Sequence, residues 1–269
     1  MTSSQPSQHL LSLMKIAHAG GARIMDIYSH GFEVASKADA SPVTEADLAA
    51  EAVILDGLKK IDPAANVIAE EAVSAGAIPE ASREFYLVDP LDGTREFISR
   101  NGEFTVNIAI VRDAAPVAGV VYAPALSAMY AGETDSGAFA ASVAADAAFP
   151  DAPALRPIVC PALPASGIKV VASRSHRDEQ TDAWLAGRDI AEMLSAGSSL
   201  KFCLLASGKA HLYPRFGRTM EWDTAAGHAV LSAAGGEVFE ATGAVLRYGK
   251  KERGFDNPAF IASVSATDC

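Results

Sequence analysis

Tyr86-Leu-Val-Asp-Pro-Leu-Asp-Gly-Thr-Arg95 is an apolar run that leads directly into two carboxylates, Asp89 and Asp92, followed by a glycine and a hydroxyl. A strand ending in a Pro-containing turn holds its side chains on a rigid edge, and Gly93 lets the backbone approach whatever those carboxylates hold. Such an edge suits a hard cation and an oxyanion. The same residues also suit an ordinary β-turn, because Pro, Asp and Gly favour turns for local backbone reasons. The decision between the two rests on the rest of the chain.

Working outward, Val67-Ile-Ala69 leads into Glu70-Glu71, which places carboxylates at another expected strand end. Further upstream, Thr44 suits a helix N-cap, and Asp47 either completes a capping box or stands available to a nearby hydroxyl or metal-bound water. Far downstream, Glu221-Trp-Asp223 opens an Ala-rich stretch, where Asp223 suits an N-cap. Glu70, Asp89, Asp92 and Asp223 thus each fall at an element boundary facing a potential cleft. Each has a local explanation, but four together point to a common site. Oxygen-only ligands favour Mg²⁺ or Mn²⁺ over zinc, and Mg²⁺ pairs a few carboxylates with substrate phosphate oxygens. Two such ions ~3.5–4 Å apart can activate water on one side of a phosphorus and stabilise the leaving oxygen on the other.

The composition agrees with a small anionic substrate bound through local cations. Of 269 residues, 33 are acidic and 22 basic, a formal charge of -11, which argues against a nucleic-acid binder relying on clustered cations. Cys160, Cys203 and Cys269 form no CxxC pair and suggest neither a disulfide framework nor a zinc site, so a reducing cytoplasm fits. The N-terminus has no cationic run before an apolar core, and Lys15, His18 and Arg23 interrupt the first helical pattern. The long uncharged stretch from Ala114 to Gly132 is broken by Pro116, Gly119 and Pro124 and reads as a hairpin, so no integral membrane segment is expected.

Helical spacing predicts a first helix over residues 8–28, and a second runs from Thr44 to about Ile61. Strands are expected at 85–88, 105–111, 118–122, 128–131 and 137–140, an antiparallel meander under two helices. After an Ala- and Pro-rich stretch, strands near 168–172, 190–194 and 210–213 alternate with helices near 178–186, 199–207 and from 221. That alternation implies ligand groups at strand ends. The expected fold class is α/β, with an N-terminal α+β half (1–145) carrying most metal ligands. A C-terminal α/β half (146–269) would carry substrate contacts and the last metal ligand.

Aspartyl-phosphate phosphatases carry Asp-x-Asp-Gly-Thr, whereas this chain has Asp-x-x-Asp-Gly-Thr. The extra residue moves the first carboxylate out of the nucleophile geometry and favours water as the nucleophile. Asp89-Pro-Leu-Asp-Gly-Thr94 and Glu221-Trp-Asp-Thr-Ala-Ala-Gly227 resemble the two signatures of the lithium-sensitive, magnesium-dependent inositol monophosphatase superfamily, with Glu70-Glu71 as its third element. Arg95-Glu-Phe-Ile98, Asn101-Gly-Glu-Phe-Thr-Val-Asn107, Gly197-Ser-Ser-Leu-Lys-Phe-Cys203 and Leu212-Tyr-Pro-Arg-Phe-Gly217 resemble its CysQ branch, the 3'(2'),5'-bisphosphate nucleotidases.

The resemblance implies a layered α/β/α/β/α sandwich in which Glu70, Asp89 and the Leu91 carbonyl hold one Mg²⁺, while Asp89, Asp92 and Asp223 hold a second. A weaker third ion would touch Glu70, with Asp47 near its water shell; Mn²⁺ is a possible substitute. Thr94, hydrogen-bonded to Asp47, would orient the attacking water, and the Gly93 and Thr94 N–H groups would grip the phosphate at a helix start. His176, Ser198, Lys201 and Arg215 would contact the nucleotide, with Arg174 and Arg218 as weaker candidates. A second phosphate away from the metals needs Lys or Arg donors in an otherwise acidic protein.

The implied reaction is hydrolysis of the 3'-phosphate of adenosine 3',5'-bisphosphate, and of its sulfated analogue, in recycling the by-product of sulfate activation. The alternatives are an inositol or sugar phosphatase using the same metals and, more distantly, a non-catalytic nucleotide sensor. A monomer or homodimer is expected, in the cytoplasm; members of the branch have been assigned to the cytoplasmic face of the inner membrane, but nothing in this chain encodes an anchor.

Overall fold

Two sheets enclose a helical layer, and that layer carries the second half of the site. The computed structural model describes residues 5–36, 42–80, 82–174 and 178–265. The chain opens with α1 (Gln8–His30), capped by Ser7, whose hydroxyl accepts from Leu10 N at 3.0 Å. A two-stranded hairpin follows, β1 (Val34–Ser36) and β2 (Pro42–Thr44), leading into α2 (Glu45–Ile61). Next come β3 (Val67–Ala69), the five-residue α3 (Glu70–Ser74), β4 (Glu84–Asp92) and a second five-residue helix, α4 (Thr94–Ile98). The meander is β5 (Thr105–Arg112), β6 (Ala115–Ala123), β7 (Ala128–Glu133) and β8 (Gly137–Ser142).

A further strand, β9 (Arg156–Ile158), pairs antiparallel with β8, so the first sheet takes its last strand from the Ala- and Pro-rich stretch. Too short and irregular to show periodicity, β9 is held by its neighbour. The seven-stranded order β3-β4-β5-β6-β7-β8-β9 follows the sequence, and within it only the β3–β4 pair is parallel.

The second half comprises β10 (Ile168–Ser173), α5 (Glu179–Leu185), β11 (Ile190–Ala196), α6 (Leu200–Ala206), β12 (Leu212–Arg215), α7 (Glu221–Ala233), β13 (Glu237–Glu240) and β14 (Phe260–Ser263). Its sheet order is β11-β10-β12-β14-β13, parallel around β10 and antiparallel from β12 onward.

Alternation along β4 builds the layers. Phe85 and Leu87 face a core shared with Phe202, Ala225 and Val230 of α6 and α7, while Tyr86 and Val88 face α1 and α2 through Leu13, Ile24 and Ile54. On the far side of the second sheet, Trp184 and Leu185 of α5 pack over Val170, Leu212 and Ile261. The result is the five-layer α/β/α/β/α sandwich.

The middle layer is unusually tight. Gly119 and Gly132 lie opposite each other on β6 and β7, and a Cβ on either would meet α7 backbone, 2.6 Å from Ala226 O or 2.7 Å from Val230 Cα. On its other side, α7 presents Gly227 to α6, where a Cβ would stand 2.4 Å from Phe202 Cδ2. Among the described residues, no helix is long and apolar enough to cross a membrane.

Candidate active site

The Asp-Pro-Leu-Asp segment is strand through to its end: β4 runs to Asp92, and the turn comes only at Gly93. Asp89 pairs with Asn107 and Asp92 with Thr105, so three steps along β4 oppose two along β5. That extra residue is a bulge. In a regular strand, side chains three residues apart point to opposite faces; the bulge cancels one alternation and lets both aspartates line one cleft. Gly93 then turns the chain with φ +90°, which a side chain would strain, and α4 begins at Thr94.

Glu70 is the first residue of α3 and lines the cleft, whereas its neighbour Glu71 is buried away from it. The two glutamates therefore do not share a solvated face. Asp223 lines the same cleft, but as the third residue of α7 and not as its cap: Met220 is the N-cap, and its N–H donates to Asp223 Oδ2 at 2.8 Å. Its carboxylate still satisfies a helix-start donor, from inside the first turn.

Asp89 is buried, with Asp92 and Asp223 half-buried beside it in the same cleft. Burial, followed by the charges of Glu70, Asp92 and Asp223, holds the Asp89 carboxyl well above the usual range, and Asp89 shares a hydrogen bond with Glu70. Asp223 is raised by burial and then by Asp92 and Glu70. Asp92 is pushed by burial to about 6, opposed by the charge of Lys201 and the donors Ser199 and Asn107. Among the described residues no three Asp, Glu, His or Cys side chains form a finished metal cage. Their oxygens are instead engaged by protein donors: Leu91 N on Asp89 Oδ1 at 3.0 Å, and Asn107 Nδ2 and Ser199 Oγ on Asp92 Oδ2 at 3.3 and 3.0 Å. The donor set nevertheless fits a hard divalent cation, being all oxygen and crowded with negative charge that such an ion would relieve.

Thr94 and Asp47 meet across the sheet edge, with Thr94 Oγ1 3.3 Å from Asp47 Oδ1 and 3.5 Å from Leu91 O. Asp47 is also the capping-box residue, its Oδ2 accepting from Thr44 N and Thr44 Oγ1, both at 2.8 Å. Both readings of Asp47 hold at once, one per oxygen.

The second half delivers Ser198, Lys201 and Arg215 to the same cleft. Ser198 sits at φ +42°, uncommon for a residue with a side chain, with its hydroxyl 3.0 Å from Thr105 Oγ1. Lys201 is buried and donates to the carbonyls of Ser198 and Ala196; burial lowers its pKa to about 8, against the opposing pull of Asp92. Arg215 lies on β12, not in a surface loop, and donates to Arg218 O at 3.0 Å. Arg218 lines the cleft while paired with Asp256 at 2.7 Å. Arg174 does not line it: its guanidinium forks onto Glu103, with both contacts at 2.9 Å. His176 lies outside the described residues.

Sequence reasoning overlooked the joint between the halves. Asn107 and Ser199, both buried, hold Asp92 from β5 and from the turn before α6, and Ser199 Oγ is also 2.7 Å from Asp223 O. A single hydroxyl proton thus lies within reach of groups on two cleft elements. The available signal was a polar Asn inside the apolar run of β5, since a buried amide must have partners.

The inositol monophosphatase family matches residues 7–265, almost the whole chain. The chain belongs to that family. It is 45% identical over 253 residues to the 3'(2'),5'-bisphosphate nucleotidase CysQ of Escherichia coli (strain K12), covering 93% of this chain and 97% of that protein. The crystal structure of CysQ from Bacteroides thetaiotaomicron, described as a bacterial member of the inositol monophosphatase family, superposes with a TM-score of 0.80 at 37% identity, covering 97% of this chain and 98% of that one. Thermotoga maritima IMPase shares the fold, with a TM-score of 0.78 at 24% identity and coverage of 97% and 93%. Within this family of metal-dependent phosphatases, the cleft aspartates, Thr94 and the basic residues of the second half form one candidate active site.

Proposed function

We propose that this chain is a Mg²⁺-dependent 3'(2'),5'-bisphosphate nucleotidase that hydrolyses the 3'-phosphate of adenosine 3',5'-bisphosphate, and of its sulfated analogue, in the cytoplasm. The observation that carries the reading is the placement of Lys201 and Arg215 in the cleft that also holds Glu70, Asp89, Asp92 and Asp223. A substrate with one phosphate needs the acidic end of the cleft alone. A second phosphate needs fixed cations beyond it, and a buried Lys and Arg supply them.

Glu70, Asp89, Asp92 and Asp223, with the Leu91 carbonyl, would hold two to three divalent ions, which when bound supply Lewis-acid polarisation and an activated water. The chain's own residues do the positioning. Thr94, donating its proton to Asp47 Oδ1 at 3.3 Å, keeps its oxygen lone pairs for a water proton and so orients the nucleophile. The Gly93 and Thr94 amides, at the start of α4, face the scissile phosphate. Ser198, Lys201 and Arg215 grip the second phosphate and fix which ester bond reaches the water.

The test is a phosphate-release panel with the bisphosphate nucleotide, an inositol monophosphate and fructose bisphosphate, with and without Mg²⁺ and Li⁺. Loss of one charge-assisted contact is worth about 1.5–3 kcal/mol, so Lys201→Ala and Arg215→Ala should each lower kcat/KM for the nucleotide roughly 10- to 150-fold. Inositol phosphate turnover should change little. Unchanged nucleotide kcat/KM in both variants would remove the substrate assignment in favour of an inositol or sugar phosphatase.

A further inference from the structure

Helix α2 carries a second carboxylate one turn beyond Asp47, and its target is another element of the site. Asp47 and Glu51 are four residues apart, share one helix face and are both buried, at 1% and 7% exposure. Asp47 reaches Thr94. Glu51 reaches α3, where its Oε2 accepts from Glu71 N and its Oε1 from Ala72 N, both at 2.9 Å.

These two amides belong to the first turn of α3, whose donors have no partner within the helix. The N-cap of α3 is Ala69, which offers no side-chain cap, so the carboxylate comes instead from twenty residues earlier in the sequence. Five residues cannot sustain a helix alone, because the nucleation cost exceeds what one turn returns. The placement of α3 therefore depends on its attachments, and Glu70 is its first residue.

We infer that Glu51 is a positioning residue: by clamping the Glu71 and Ala72 amides it fixes the turn that presents Glu70 to the cation. Helix α2 then acts as a rule with two marks one turn apart, one setting the Thr94 hydroxyl and the other the Glu70 carboxylate. Ala46, Ala50, Ile54 and Leu58, all fully buried, hold that rule against the sheet. The inference rests on the cation-site reading of Glu70 and does not depend on which phosphate ester is the substrate.

The experiment is Mn²⁺ binding by calorimetry in the absence of nucleotide, together with site-resolved amide exchange at Glu71 and Ala72 in metal-free protein. Outer partners of metal ligands contribute about 10- to 100-fold to metal affinity, and Glu51→Ala should lose within that range with faster exchange at both amides. Glu51→Gln keeps one acceptor and should lose less. Ile54→Val, one turn along α2 and packed on α1 beside Gly20, controls for general loosening and should leave Mn²⁺ affinity unchanged. Unaltered Mn²⁺ affinity in folded Glu51→Ala, or an equal loss in Ile54→Val, overturns the inference. Wild-type protein that binds Mn²⁺ but releases no phosphate from the nucleotide would instead overturn the substrate assignment alone, and wild-type protein that binds no Mn²⁺ would overturn both.

Discussion

Acidification should weaken this fold through one histidine behind the site. His228, on α7, is buried, and its Nδ1 lies 3.0 Å from Tyr248 Oη, whose proton goes to Thr224 Oγ1 at 3.2 Å. Thr224 in turn donates to Glu221 O, so the chain has one direction and His228 is the neutral tautomer with its proton on Nδ1. Burial, then the charge of Arg247, lowers its pKa from 6.5 to about 3. Between those values only the unfolded chain takes the proton, so this contribution to stability is complete above 6.5 and is lost as pH falls. At pH 5, which lies 1.5 below 6.5, the loss is 1.5 × 1.36, or about 2 kcal/mol. The raised carboxyls Asp89 and Asp223 act with the opposite sign, since the folded state holds their protons more tightly. A comparison with His228→Gln removes them from the difference. Urea melts in EDTA at pH 7.5 and 5.0 should show the variant losing about 2 kcal/mol less than the wild type on acidification. If the two proteins respond to pH alike, to within about 0.5 kcal/mol, the buried neutral imidazole is refuted.

Three further outcomes probe the joint and the site. Ser199→Ala removes a neutral hydroxyl contact worth about 0.5–1.5 kcal/mol, so Mg²⁺ affinity should fall roughly two- to tenfold; equal affinity would mean Asn107 alone suffices to hold Asp92. Gly227→Ala forces a methyl into Phe202, and overpacking of about 1–3 kcal/mol should lower the melting temperature by roughly 2–12 °C, recovered in part by adding Phe202→Leu. An unmoved melting curve would contradict the tight α6–α7 seat. Thr94→Ala should lower kcat far more than it changes Mg²⁺ affinity, as titrated by activity against calorimetry; the opposite pattern would make Thr94 a metal ligand.

What was legible in the sequence follows periodicity and spacing. The meander strands and α1 are readable because their apolar residues repeat along one face, and the cleft aspartates because Asp89 and Asp92 sit where an apolar run stops and Asp223 where one begins. Asp223 was placed at the right helix start but in the wrong position, since Asp suits both the cap and the third residue. The turn expected straight after Val88 comes only at Gly93, because the bulge that extends β4 is defined by its partner β5 and not by Pro90. The strand expected to end at Tyr213 reaches Arg215, for Pro214 masks a strand whose edge is covered by β14. Glu51 was beyond reach, since its partners are backbone amides and main-chain donors leave no mark in composition.

The paired glycines beneath α7 make the rear of the enzyme a control on its front. Asp223 rides on a helix whose depth is set by the absence of two methyl groups, on Gly119 and Gly132, so its carboxylate is seated by contacts one to two turns further along α7. A methyl on either glycine would press on α7 backbone and disturb the segment that carries Asp223, with no change to any residue lining the cleft.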